Sequence, residues 1–303
     1  MASCPFNALV PDVVPHEQRG TASGYLGSAY SLGTLTGTVV GYYYDDMGVG
    51  LTACLLAAIL AGSAFVTFNQ VHEEQQFDID TPALKDCWSA VTGFVAPFQA
   101  SDFRWVFFTR LLVQQGVFTV QEFLQYYLKD AVVPPPGMRV ESAVSIIMAP
   151  LVIMSIVSAF VAGHLSDFVG QRKVILYFCG GLMIIANLML AFSATYHGAM
   201  ICAFVFGIGY GGFCAIDFCL VMDVLPEQGD AGKDLGIWHI ALVLPQATAA
   251  PFGGFLLDFF QGIDPERKNP GPHFHLGYCI LFLTAAIYFG LGIHFLHKVE
   301  KVN

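Results

Sequence analysis

One long apolar segment of the chain contains regularly spaced polar side chains. Side chains of these types could bind a small solute. At 100° per residue of an α-helix, four polar side chains of residues 104–128 fall within about 60° of one face. They are Arg110, Gln114, Gln121 and Gln125. An amide donates and accepts hydrogen bonds, which suits a neutral polyol, whereas a guanidinium binds an anion or pairs with a carboxylate of the protein. The pattern predicts a substrate-binding face, with interhelical hydrogen bonding as the alternative.

Two further polar residues lie beside this face, Gln115 and Glu122. We add Gln115 to the predicted substrate-binding residues. Glu122 and Asp217 are the two acids within the long apolar segments of the sequence. Lipid does not solvate a carboxylate, so such a group either carries a proton or pairs with a base. The sequence predicts proton coupling by Glu122 and Asp217. A structural ion pair is the alternative for both, and snorkelling to the membrane edge is a further alternative for Asp217.

A second apolar segment carries His239 and Gln246, which are seven residues apart and share a helical face. Both are predicted to bind substrate, although a hydrogen-bonded structural histidine is the alternative for His239. His294 and His297 lack a third ligand, so no metal site is predicted. The apolar segments hold no nucleophile–base pair. The sequence therefore predicts no catalytic residue and no cofactor, which argues against an enzyme.

The composition defines the elements that must position these side chains. Only 12% of the 303 residues are charged and 55% are hydrophobic, whereas a soluble domain is about 25% charged. No basic tract exists for nucleic acid. Eight segments have the length and apolar character of membrane spans, near 22–44, 49–69, 104–128, 143–163, 174–194, 199–220, 236–257 and 276–297. The predicted fold class is an all-α, polytopic transmembrane helical bundle of eight spans, with the lipid bilayer as a partner.

The basic residues are unevenly divided between the two sides of such a bundle. The side that holds both termini collects eight Lys and Arg residues, and the other side collects four. Because cytoplasmic loops are enriched in these residues, both termini are predicted to be cytoplasmic. The sequence does not indicate which membrane holds the chain.

The loop between the fourth and fifth segments has glycines, an acid and two bases at fixed spacing. The glycines allow a tight turn and close helix approach. The acid at the membrane edge can accept hydrogen bonds from the N-terminus of a neighbouring helix. The two bases can pair with an acid on another helix end, for which Asp223 is our candidate. The predicted gating motif consists of Gly163, Asp167, Gly170, Arg172, Lys173 and Asp223.

This loop resembles the signature of the major facilitator superfamily, G-x-x-x-D-(R/K)-x-G-x-(R/K)-(R/K), with Phe168 where a base is usual. Residues 11–24 and 232–238 resemble the entries to helices 5 and 11 of these transporters, the latter especially in the sugar–cation symporter branch. The resemblance implies a twelve-helix plan that lacks helices 1–4. It also implies that span 104–128 is the cavity-lining helix 7, and that the gating motif latches the cytoplasmic side in the outward-open state.

An internal repeat fits this plan. Residues 13–24 and 224–236 share a pattern, and Gly24 pairs with Gly236 at an offset of 212 residues. Transporters are often built from two such related halves. The predicted domains are a two-span remnant of the N-terminal half (1–70), a cytoplasmic linker (71–103) and a six-helix C-terminal half (104–303).

The predicted function is secondary active transport of a small polar, sugar-like solute coupled to protons, by alternating access. Its expected partners are that small-molecule substrate, the lipid bilayer and H⁺, with no nucleic acid. The alternatives are a truncated, transport-incompetent or regulatory membrane fragment and, less favoured by the residues, a membrane enzyme.

Overall fold

The computed structural model of the chain is helical throughout its described part. It describes residues 10, 14–70, 94–132, 135, 137–138, 140–193, 195–225, 231–263 and 275–300. Within these ranges the chain forms eight long α-helices, joined by short 3₁₀ turns and loops, and no β-strand. The helices are α1 (Arg19–Tyr42), α2 (Tyr44–Gln70), α3 (Ser101–Asp130), α4 (Val140–Val169), α5 (Arg172–Phe192), α6 (Tyr196–Val224), α7 (Ala231–Gln261) and α8 (Leu276–Phe295).

Each helix contains or largely overlaps one predicted segment, and the predicted all-α helical bundle is confirmed. Six of the eight are long and apolar enough to cross a membrane, by length and composition alone. The two described helices outside this group are α1, which is rich in Gly, Ser and Thr, and α3, which carries the polar series around Arg110. Helix α3 therefore falls outside this group because of the same polar side chains that make it the candidate for binding a solute.

Backbone conformation at a few positions separates and bends the helices. Gly170 has φ 68°, a value that side chains disfavour, and makes the turn between α4 and α5. Thr195 caps α6 by accepting a hydrogen bond from the backbone N–H of Gly198 at 3.1 Å. Gly48 interrupts α2 with φ 71° and divides the helix into two pieces joined by a kink.

Helices α3 to α8 pack around one another, with α6 against α4 and α5, and α8 between α3 and α5. Their buried side chains form two apolar clusters, one near the ends that carry Phe103 and Leu176 and one near the ends that carry Leu128 and Leu281. Helix α1 lies along α4 and α6. The most hydrophobic stretch of α2 buries no residue in the described structure.

The contact between α1 and α4 is made by small residues. A Cβ atom added to Gly163 would lie 2.5 Å from the carbonyl oxygen of Gly20 and 2.7 Å from the Cα of Gly24. The two backbones therefore approach so closely that no side chain fits between them.

The predicted linker lies outside the described residues as far as residue 93. The division into domains stays a prediction.

Candidate functional site

A cavity of about 220 Å³ lies between α1, α3, α6 and α7. Its wall combines apolar and polar side chains in a way that could hold a small solute. Polar and aromatic members of this wall include Ser23, Arg110, Gln114, Tyr210, Trp238 and His239.

Arg110 on α3 forms the centre of this wall. Its guanidinium pairs with the carboxylate of Asp217 on α6 and stacks on the indole of Trp238 on α7, 3.6 Å from the ring centroid. Arg110 is 8% exposed and Asp217 is 1% exposed. Each charge of such a buried pair compensates the other, since removing one partner leaves an uncompensated buried charge. Three helices are thus joined at one guanidinium.

The pair does not use all of its hydrogen-bonding capacity. Within the described residues, Nε of Arg110 and Oδ1 of Asp217 have no hydrogen-bond partner. The same holds for Oε1 of Gln114, which lies one turn further along α3 and is 1% exposed, and for Nε1 of Trp238. Buried polar groups are normally satisfied. Unsatisfied donors and acceptors beside a cavity can therefore bind a polar ligand.

The structure brings Arg110, Gln114 and His239 together from the predicted substrate-binding residues. Gln115 instead joins α3 to α7, because its Oε1 accepts a hydrogen bond from the hydroxyl of Thr248 at 2.8 Å. Gln121 lines a separate, mostly apolar cavity of about 80 Å³ between α3, α4, α5 and α6. The wall of the larger cavity does not include the exposed side chains Glu122, Gln125 and Gln246.

Sequence reasoning missed several residues of the wall. Tyr210 and Cys214 on α6 precede Asp217 by seven and three residues, so they share its helical face. That spacing would have identified them once Asp217 was singled out. Trp238 directly precedes His239 at the start of α7. No signal in the sequence connects it with Arg110, which lies far away along the chain.

A second group of polar contacts ties α1 to the ends of α4, α5 and α6. We refer to Arg19, Asp167, Arg172 and Asp223 as the latch cluster. The carboxylate of Asp167, at the end of α4, accepts hydrogen bonds from the backbone N–H groups of Gly20 at 2.9 Å and Thr21 at 2.6 Å. These N–H groups belong to the first turn of α1, where the helix dipole favours negative charge.

Asp223 near the end of α6 receives two bases of the latch cluster. It pairs with Arg172 at the start of α5 and lies 3.5 Å from Nη1 of Arg19. Arg172 also donates to the carbonyl of Cys219 at 3.2 Å, and Arg19 to the carbonyl of Met222 at 3.1 Å. Five of the six residues of the predicted gating motif therefore take part in these contacts at one end of the bundle, with Gly163 in the α1–α4 contact and Gly170 in the adjoining turn. Lys173 follows Arg172 in the first turn of α5. Their role in gating stays a prediction.

The family model described as Major Facilitator Superfamily matches residues 132–303 of the chain. The chain belongs to the Major Facilitator Superfamily. Membership confirms the prediction of that superfamily from the loop at 163–173, and the superfamily is one of transporters rather than of enzymes. With its apolar helices, membership also makes the chain an integral, multi-pass membrane protein.

Among curated proteins, this superfamily member is similar to the multi-drug resistance efflux pump PmrA of two Streptococcus pneumoniae strains, with 24% identity over 225 residues in each case. The match covers 73% of this chain and 54% of the pump, so the chain spans about half the length of these relatives.

Among solved structures, the chain is similar to two of the transporter FucP, one a variant of the Escherichia coli fucose:proton symporter and the other in the outward conformation. The TM-scores are 0.62 and 0.56, at 15% and 14% identity. Each match covers 95% of this chain and 72% of FucP. At this identity the likeness establishes a shared fold.

Proposed function

We propose that the chain acts in secondary active transport of a small polar, sugar-like solute, driven by protons and operating by alternating access. The cavity between α1, α3, α6 and α7 carries the proposal. Its buried wall presents an arginine, an amide and an indole N–H with unused hydrogen-bonding capacity. Such groups match the hydroxyls of a small solute, and the cavity volume of about 220 Å³ suits one that is smaller than a drug.

In this proposal α1 and α2 belong to one half of the transporter, α3 to α8 form the other, and 71–103 is the linker between them. The latch cluster supports it, because Asp167 and Asp223 connect α1 with α4, α5 and α6 across that boundary. With both termini in the cytoplasm, the latch cluster closes the cytoplasmic side and opens as the halves rock. The alternative of a transport-incompetent fragment predicts the same contacts without turnover.

Proton coupling is assigned to Asp217, with Glu122 as the second candidate. Asp217 lies beside the cavity wall through its partner Arg110, whereas Glu122 is exposed on α3. A buried acid in contact with the substrate-binding arginine can sense whether the site is filled. The fold shared with the fucose:proton symporter FucP supports this assignment.

The similarity to PmrA favours a second function, the export of drugs. Multidrug export requires a site that accepts large apolar compounds, whereas the larger cavity here has buried polar groups among its apolar side chains and a volume of only about 220 Å³. The two functions differ in direction and in substrate, and one pair of assays separates them.

The test is uptake by the full chain reconstituted in lipid vesicles, with a panel of labelled sugars and sugar derivatives and with the outside made acidic. We expect accumulation of at least one solute, and loss of that accumulation in Arg110→Gln. The matched control is Arg104→Gln, an exposed arginine of the same helix, which should transport normally. Extrusion of a fluorescent drug without uptake of any sugar-like solute would favour the export function. An inserted chain that moves neither would favour the fragment alternative.

A further inference from the structure

The charge of the cavity wall points to a narrower class of solute. Among the described residues that line the larger cavity, Arg110 is the one side chain with a fixed charge. Its partner Asp217 is not part of the wall and lies behind it. A solute that enters therefore meets a guanidinium and neutral groups, and no described carboxylate competes with it from the surface of the cavity.

The guanidinium of Arg110 keeps a free donor in the described structure. Its central carbon lies over the indole of Trp238, 3.6 Å from the ring centroid, and one terminal nitrogen binds Asp217 while Nε has no partner. A guanidinium presents five N–H donors in a planar fork that matches a carboxylate in two parallel hydrogen bonds. Arg110 thus holds one carboxylate of the protein and retains donors for a second.

We propose that the solute carries a carboxylate, that this carboxylate takes the place of Asp217 on Arg110, and that Asp217 takes up a proton from water as it is displaced. This inference rests on the proposed function and names its substrate class, a small polyhydroxy acid. The empty site holds one positive and one negative charge. The filled site holds Arg110, the solute anion and a neutral Asp217, so its net charge stays zero and no buried charge is left alone.

The same balance fixes the transport stoichiometry. One solute anion and one proton enter together, and when the solute leaves, Asp217 releases its proton and pairs again with Arg110. No net charge crosses the membrane in a cycle. A pH gradient then drives accumulation of the acid, and the membrane potential does not.

Other titratable groups surround the pair, and the test must distinguish them from Asp217. Tyr210 and Cys214 lie on the same helix, and His239 faces Arg110 from α7. Within the described part of the chain, the other titratable groups nearby are Tyr30 of α1, in the cavity wall, and Cys179 of α5, beside Cys214.

The experiment compares glucose with glucuronate, which differs from it by a carboxylate in place of the terminal CH₂OH, in vesicles that contain the full chain. We expect glucuronate to accumulate at least tenfold more than glucose under a pH gradient, with no change when a potassium–valinomycin potential is imposed. Uptake of glucose without glucuronate would overturn the inference and leave the proposed function in place. Uptake of neither, while another neutral sugar of the panel accumulates, would overturn the inference alone, and uptake of no solute in the panel would overturn both. Accumulation of glucuronate that depends on the membrane potential would overturn the electroneutral cotransport of anion and proton.

Two variants separate binding from coupling. Asp217→Asn should still exchange internal for external glucuronate but should lose accumulation driven by the pH gradient, because the amide takes up no proton. Arg110→Lys should raise the half-saturation concentration for glucuronate about tenfold or more, whereas Arg104→Lys should not. Retained pH-driven accumulation in Asp217→Asn would overturn the role of this acid.

A binding measurement that does not depend on transport completes the test. Cys214 lies in the cavity wall, so a bound solute should shield its thiol from a small alkylating reagent. Alkylation of Cys214, followed by mass spectrometry, should slow with glucuronate and not with glucose. In the double variant Arg110→Gln/Asp217→Asn, which buries no charge at this position, glucuronate should give no protection. Equal protection by both solutes, or protection in the double variant, would contradict the inference.

Discussion

Replacement of Gly163 by alanine tests how closely α1 must approach α4. The added Cβ would lie 2.5 Å from the backbone oxygen of Gly20, about 0.9 Å short of the 3.4 Å at which ordinary contact begins. A backbone oxygen cannot move away by changing its rotamer as a side chain can, so the two helices must move apart. Overpacking of this kind costs about 1–3 kcal/mol, and alanine returns up to about 1 kcal/mol of helix propensity. We expect Gly163→Ala to destabilise the α1–α4 contact by about 1–2 kcal/mol.

Gly181 on α5 provides the matched control, because a Cβ there meets nothing within 4 Å. Gly181→Ala should be neutral or slightly stabilising. The assay is thermal unfolding of the purified chain in detergent, followed with a dye that reacts with the buried thiols of Cys179, Cys202 and Cys219 as they become exposed. We expect a midpoint for Gly163→Ala that is roughly 2–6 °C lower than that of the unmodified chain. Equal midpoints for the two variants would refute the close approach of the two backbones.

Three further substitutions test the latch cluster and the cavity. Asp167→Asn removes the negative charge beside the first turn of α1 and should weaken the contact between α4 and α1 by about 2 kcal/mol. We expect this change to abolish most transport at unchanged expression, and unchanged uptake would contradict a latch. Asp223→Asn leaves two arginines without their shared acid, so it should lower the unfolding midpoint more than Asp167→Asn does, and the reverse order would show that Asp167 is the stronger tie. Gln114→Ala should raise the half-saturation concentration for the solute about tenfold through the loss of a buried amide, measured by uptake at varied concentration, and an unchanged value would exclude this side chain from binding.

The helices could be predicted from the sequence because each long apolar run has one dominant explanation. Span 104–128 corresponds to α3 at Ser101–Asp130, with the ends extended by polar residues that hydropathy does not detect. The pairing of Arg110 with Asp217 could not be predicted in the same way, since 107 residues separate them. The sequence left an anion or a carboxylate of the protein open as the partner of Arg110. Only the packing of α3 against α6 shows the contact with the carboxylate of Asp217.

The helical face drawn through Arg110, Gln114 and Gln125 illustrates a second limit. Periodicity places these residues on one side of α3, yet Arg110 and Gln114 are buried and Gln125 is exposed. Neighbouring helices decide this difference, because Asp217 and Trp238 cover only the part of the face near Arg110. The latch cluster was easier to anticipate, since its loop has a fixed spacing of glycines, acid and bases. An acid such as Asp167, at the end of α4 and beside the first turn of α1, also has few alternative partners.

The stacking of Arg110 on Trp238 gives the molecule an optical reporter of its own. An indole under a guanidinium, 3.6 Å away, emits in an environment that changes as soon as the arginine turns toward another anion. The chain has three tryptophans, and Trp105 is not part of this wall but lies with its ring 4.2 Å from the ammonium of Lys298. A chain that keeps Trp238 as its single tryptophan would therefore report occupancy of the cavity in real time, without an added label.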